Sequence, residues 1–182
     1  LETDLFFKRC VLGKVLLITE TNPIEMDFKI RKARLSDAED LAKLYFQFWE
    51  PHKNVDPLLE FEKKLTLNNQ IKAAKKDIKK RDNHILVADN GKVIGFIEFF
   101  IKKNDKLFKI KKYGYLNSAT TLEEHRGKGV AKALSIEALK FLKNKRIKYV
   151  RANVYNSNEI AMKTWIKVGF KPQSTFLMKR IK

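Results

Sequence analysis

The residues best suited to chemistry lie in one short run, Glu123-Glu124-His125-Arg126-Gly127-Lys128-Gly129, continued by Val130-Ala131-Lys132. A β-branched and aromatic stretch precedes it. An apolar stripe at helical spacing follows, made of Val130, Ala133, Leu134, Ala138, Phe141 and Leu142. The run is therefore expected to be a turn that leads a strand into a helix. Backbone N–H groups in the first turn of a helix lack intrahelical partners, and the macrodipole is positive there. Gly127 and Gly129 remove side chains that would hold an anion away, and Ala131 keeps the next turn small. Lys128 and Lys132 add charge at the same mouth. Such a turn can cradle a pyrophosphate almost entirely with backbone. Taken alone, a glycine-containing turn before a helix is usually only a turn.

A second constellation follows: Asn158-x-x-Ala161-x-x-x-Trp165-x-x-x-Gly169-Phe170. Asn158 suits a helix N-cap. Gly169 suits the position just past the helix, with Phe170 packing back on the last turn. Ile160, Ala161, Thr164, Trp165 and Val168 form the stripe expected to turn inward. Groups able to move a proton are Glu98 on a central strand, Glu123 and Glu124 beside the cradle, and Tyr115 and Tyr155. Surface charge is the expected role of Glu123 and Glu124. Other chemistries lack their residues. No Walker A spacing precedes Gly127-Lys128 or Gly91-Lys92, and no G-x-S-x-G elbow occurs. His52, His84 and His125 are scattered, and Cys10 is the one cysteine, so no metal-ligand cluster or intramolecular disulfide is expected.

The elements that must position these groups read off in order. Phe28–Ala33 is a short strand. Ser36, with Glu39 three residues on, is a capping-box pattern that opens a helix, and Pro51 is expected to end it. Residues Pro57 to Arg81 read as one helical stretch, with Leu58, Phe61, Leu65, Ile71, Ala74 and Ile78 apolar and a lysine-rich solvated face at its end. His84–Ala88 and Lys92–Ile101 are strands joined through Asp89-Asn90-Gly91, a hairpin turn. Strands over Tyr113–Leu122, Lys148–Val154 and Phe176–Ile181 alternate with the two helices already described. The expected fold is α/β in the α+β sense: β-α-α-β-β-β-α-β-α-β, with helices on both faces of a central, mostly antiparallel sheet.

The 182 residues suffice for one domain with a real core, and 44% apolar with 33% charged residues excludes a disordered chain. The net charge of +18 invites a nucleic-acid reading. Of the 39 basic residues, however, 31 are lysine and 8 arginine, whereas base readers lean on the planar fork of arginine. Compositional bias spread over the surface is the better reading, with nucleic acid the weaker alternative.

The first 25 residues stand apart. They carry four acidic and three basic residues, leaving +19 on the rest. Val11–Ile18 is apolar but broken by Gly13 and Lys14, and far short of the ~20 residues of a membrane span. Glu2 and Asp4 sit where a signal peptide needs positive charge. Regular patterning begins at Met26, so residues 1–25 are expected to be an N-terminal extension ahead of a domain at 26–182. The alternative is an extra strand pair that adds an edge or a homodimer contact.

Two motifs together carry more than either alone. Arg126-x-x-Gly129-x-Ala131 after a strand resembles motif A of the GNAT (Gcn5-related N-acetyltransferase) superfamily, and Asn158-x-x-Ala161-x-x-x-Trp165-x-x-x-Gly169-Phe170 resembles its motif B. The element order from Phe28 to Ile181 is similar to the family throughout. The resemblance implies acetyl transfer from acetyl-CoA to a primary amine by direct attack, in a cytoplasmic protein without a metal. It implies that the strand ending at Ala119-Thr120-Thr121 splays from Arg151–Tyr155. Backbone freed there would pair with pantetheine and polarise the thioester carbonyl. It places pyrophosphate on Arg126, Gly127, Lys128, Gly129, Val130, Ala131 and Lys132, and the cofactor arm near Asn158. The family's usual Glu and Tyr fall at Asn153 and Trp165, neither of which titrates usefully. Trp165 is then expected to pack, Tyr155 to be the proton donor, and a water chain to serve as base. Acceptors in play are a protein N-terminus or lysine, a polyamine or another small amine, with acidic acceptors favoured by the protein's charge. The competing expectation is a basic module of the same fold, bound to RNA or the ribosome, with little catalysis.

Overall fold

The computed structural model describes residues 27–53, 56–59 and 66–181. Residues 1–25, Phe61 and Leu65 lie outside them. The elements are β1 (Lys29–Lys32), α1 (Ala38–Lys53), α2 (Leu67–Lys79), β2 (Asn83–Asp89), β3 (Val93–Lys103), β4 (Lys112–Thr121), α3 (Val130–Asn144), β5 (Val150–Ala152) and α4 (Glu159–Lys167). They build one five-stranded sheet in the order β1-β2-β3-β4-β5. The pairs are antiparallel except β4–β5, which is parallel. That exception follows from the connection, since α3 carries the chain across the sheet before β5 begins.

Helices cover both faces. Leu41, Leu44 and Tyr45 of α1 and Ala74 of α2 pack on Ile85, Val87, Val93 and Phe96. On the other face Val130, Leu134, Ala138 and Leu142 of α3 pack on Ala88, Ile94, Ile97, Phe99 and Leu116. The α3 stripe read from the sequence is therefore the buried one. Gly95 lets the start of α3 approach, since a Cβ there would lie 3.0 Å from Val130 Cγ1. Arg31 ties the front of the fold together. Its guanidinium donates to Asp37 at 2.7 and 2.9 Å and to Asp89 at 2.7 Å.

Several boundaries differ from the sequence reading. The acid that closes the start of α1 is Asp37, not Glu39. Its Oδ2 accepts from the Arg34 N–H at 2.6 Å, and Ser36 lies in a 3₁₀ turn before the helix. Asp37 wins because Arg31 already holds it there. Pro51 does not end α1, which runs to Lys53; so near the C-terminus a proline disturbs the hydrogen-bond ladder only in the helix's last turns. The stretch 57–81 is not one helix. A 3₁₀ turn spans Pro57–Leu59, and α2 starts afresh where the Thr66 hydroxyl caps the Asn69 N–H. Phe176–Ile181 forms no strand. Phe176, Leu177 and Ile181 are more than four-fifths exposed, and an alternating pattern without a ladder partner does not hold extended.

Candidate active site at the β4–α3 turn

The turn after β4 presents a helix N-terminus that no side chain caps. Gly127 and Gly129 both take left-handed backbone, with φ of +76° and +81°. That conformation, more than the space a side chain would fill, is why glycine stands there, since a Cβ at either position meets nothing within 4 Å. Gly129 is the N-cap of α3 and has no side chain to cap with. The first helical bond runs from the Ala133 N–H to the Gly129 carbonyl at 2.9 Å. The N–H groups of Val130, Ala131 and Lys132 thus project from the positive end of a 15-residue helix, with no acidic residue in its first turn. Lys128 is exposed beside them and Lys132 half-buried. Arg126 pairs loosely with Glu123 at 3.8 Å. Glu123 and Glu124 are exposed, as expected.

β4 leads into this turn past an open gap. Its pairing with β5 covers Gly114, Tyr115 and Leu116, opposite Val150, Arg151 and Ala152, and stops. β4 then continues through Ala119, Thr120 and Thr121 without a β5 partner, so the strands part there as expected, but after Ala152, since Arg151 and Ala152 are still paired. At the same point β4 bulges. Glu98 of β3 opposes Ser118 and Phe99 opposes Leu116, which leaves Asn117 as the extra residue. Gln47 of α1 braces the end of β4 by donating to the Thr121 carbonyl at 3.0 Å.

Side chains around the gap sort as follows. Asn158 caps α4, its Oδ1 accepting from the Ala161 N–H at 3.0 Å. Gly169 has φ of +97°, and the Phe170 N–H reaches the Trp165 carbonyl at 3.0 Å while their rings meet edge-on at 5.3 Å. Trp165 is half-buried against the α3 face, a packing role as expected. Ile160 corrects the stripe: it is 78% exposed, and no residue of α4 is fully buried. Asn153 is exposed. The Tyr155 hydroxyl donates to Asp56 Oδ2 at 2.7 Å, and its ring meets His52 at 5.4 Å. Burial first, and then this carboxylate, push the phenol up to about 12. Tyr115 stacks on Phe100 under the Lys102 ammonium, which occupies its ring face.

Glu98 is placed as sequence reasoning could not show. It is buried in the sheet, and its carboxylate accepts from Asn83 Nδ2 and Asn117 Nδ2 at 2.6 Å each and from the Ser118 hydroxyl at 3.4 Å. The signal was a lone charge in the apolar run Val93–Ile101. Asn117 and Asp56 carried no such signal. Among the described residues no group of three His, Cys, Asp or Glu is placed to hold a metal ion. No helix among them is long and apolar enough to cross a membrane.

The Acetyltransferase (GNAT) family profile matches residues 37–170. The chain belongs to the GNAT acetyltransferase family. No sequence relative was found among curated proteins. Solved structures share the GNAT fold at low identity. A tetramutant of the BH1408 protein from Bacillus halodurans is 19% identical over 84% of this chain and 99% of that one, with a TM-score of 0.71. Aminoglycoside N-acetyltransferase AAC(6')-Iy in complex with CoA is 18% identical over 85% and 95%, with a TM-score of 0.68. Ribosomal-protein-alanine N-acetyltransferase from Brucella melitensis biovar Abortus 2308 is 19% identical over 85% and 99%, with a TM-score of 0.63.

Proposed function

We propose that the protein transfers an acetyl group from acetyl-CoA to a primary amine by direct attack. The observation that carries this is the juxtaposition of an uncapped helix N-terminus with a strand that has just parted from its parallel neighbour. Pyrophosphate fits the N–H groups from Gly127 to Lys132. Pantetheine fits the gap, where β4 backbone over Ala119–Thr121 has lost its β5 partner. An N–H there donates to charge developing on the thioester oxygen, a fixed dipole needing no reorganisation. The amine nitrogen, as the free base, forms a bond to the thioester carbon and gives up one proton to a water chain, the carbon–sulfur bond breaks, the thiolate takes a proton, and the proton released by nitrogen restores the donor. Tyr155 is the proposed donor of the thiolate's proton, and Asn158 flanks the cofactor arm. A cytoplasmic setting goes with this reading and with a single cysteine.

The test is calorimetry with CoA, joined to a screen of amine classes for release of free CoA. Amine-dependent release is expected. Lys128→Glu combined with Lys132→Glu should weaken CoA by roughly ten-fold or more, at ~1 kcal/mol per charge contact. Unchanged affinity in that variant overturns the placement of the pyrophosphate. Binding without release for any amine overturns the transferase reading and leaves the basic binding module.

A further inference from the structure

A cleft of about 830 Å³ opens on the α1–α2 side of the sheet, lined by Tyr45, Trp49, Asn83, Glu98, Phe100 and Asn117 among others. Its size suits a small molecule. Asn117 is the first β4 residue past the last β4–β5 pair, so this cleft meets the sheet where the strands part. We propose that it is the acceptor site and that it takes a small aliphatic amine that is cationic and free of carboxylate. The proposal rests on the transferase reading and names its substrate class.

Three polar groups converge there without the partner that burial demands. Glu98 is 8% exposed, yet among the described residues its carboxylate is held by neutral donors alone and has no ion pair. A buried carboxylate without a cation is costly. Among the described residues the Tyr45 hydroxyl, on a residue 5% exposed, has no hydrogen-bond partner. Neither, among those residues, has Asn83 Oδ1. A carboxylate, a hydroxyl and an amide oxygen are the acceptors an ammonium with three N–H donors requires. Trp49 and Phe100 give the remaining wall an aromatic character that suits methylene groups and attracts a cation.

The other charges lining the cleft are Asp77, Lys80, Arg81 and Asp82. Lys80 pairs with Asp77 at 2.5 Å, and Arg81 and Asp82 are both exposed and offset each other. One negative charge remains, on Glu98. The +18 of the whole chain favours acidic acceptors only at long range, which salt screens beyond ~8 Å. At contact distance the lining decides, and it reverses that expectation.

The experiment compares 1,4-diaminobutane with 4-aminobutanoate, equal in chain length and opposite in the charge at one end. Binding is read by calorimetry on the wild type, on Glu98→Gln and on Trp49→Ala, each checked for folding by thermal melting. Diaminobutane should bind the wild type, and aminobutanoate about ten-fold or more weakly. Glu98→Gln should weaken diaminobutane roughly ten- to hundred-fold, the effect of losing a charged hydrogen-bond acceptor, and erase the preference. Trp49→Ala should weaken both probes. In turnover assays Glu98→Gln should raise the acceptor KM and leave the acetyl-CoA KM unchanged. No binding of diaminobutane, or equal affinity in folded Glu98→Gln, overturns the proposal. That outcome beside CoA release on peptide amines leaves the transferase standing. Absence of CoA binding fells the transferase while the probe still tests the cleft.

Discussion

The hydroxyl of Tyr155 donates a 2.7 Å hydrogen bond to Asp56, joining the segment after β5 to the segment after α1. Tyr155 lies three residues past the end of β5, with its ring against His52. With its pKa pushed up to about 12, Tyr155 stays protonated at any working pH, and the hydroxyl must turn from Asp56 to serve a thiolate.

Tyr155→Phe should therefore lower kcat by roughly ten- to a thousand-fold, the range for losing a general acid. The KM for acetyl-CoA should hardly move. Trp165→Phe should keep kcat within a few-fold and cost about 1 kcal/mol of stability, because its ring packs against the α3 face and edge-on against Phe170. Steady-state kinetics beside melting curves decide the matter. A fully active Tyr155→Phe with kcat collapsing in a folded Trp165→Phe reverses the two roles.

Gly129→Ala isolates backbone strain from contact. The φ of +81° penalises any L side chain, and an added Cβ meets nothing within 4 Å. The expected cost is about 1–2 kcal/mol, a fall in Tm of several degrees. A bulkier Gly129→Val should lose CoA as well, because its methyls enter the anion's space. A Tm unchanged in Gly129→Ala would mean that the turn relaxes to another conformation.

Arg31 sets an acid limit on stability. Burial pushes the Asp37 carboxyl up, but hydrogen bonds from Arg31 and the Arg34 N–H outweigh it and hold the group below its ordinary value. Arg31 and the Gly91 N–H lower Asp89. Carboxylates depressed in the folded state stabilise it above the unfolded value near pH 4, and the benefit goes as pH falls through the folded value. Arg31→Met should cost about 2 kcal/mol at pH 7. The gap to wild type should narrow in denaturant titrations as pH falls below the unfolded carboxylate value near 4. A gap that stays constant with pH would show that Arg31 stabilises through packing.

The turn from β4 into α3 was legible because its physics is local. A strand, two glycines and an apolar helical stripe within 20 residues determine where N–H groups emerge, and Asn158 and Gly169 cap α4 from their own helix. The α3 face was equally legible, since one helix period sorts its stripe. What the order of residues did not contain was distance along the chain being cancelled. Glu98 meets Asn83 and Asn117 across two strand pairings, one of them shifted by a bulge. Asp56 meets Tyr155 across 99 residues. The expected strand at Phe176–Ile181 did not form, because alternation describes a side-chain pattern and a strand needs a neighbour to pair with. Net charge likewise favoured an acidic acceptor, while the cleft lining points to a cation. A sum over the surface ignores which charges are paired, and only the packed sheet leaves Glu98 buried without a counterion among the described residues.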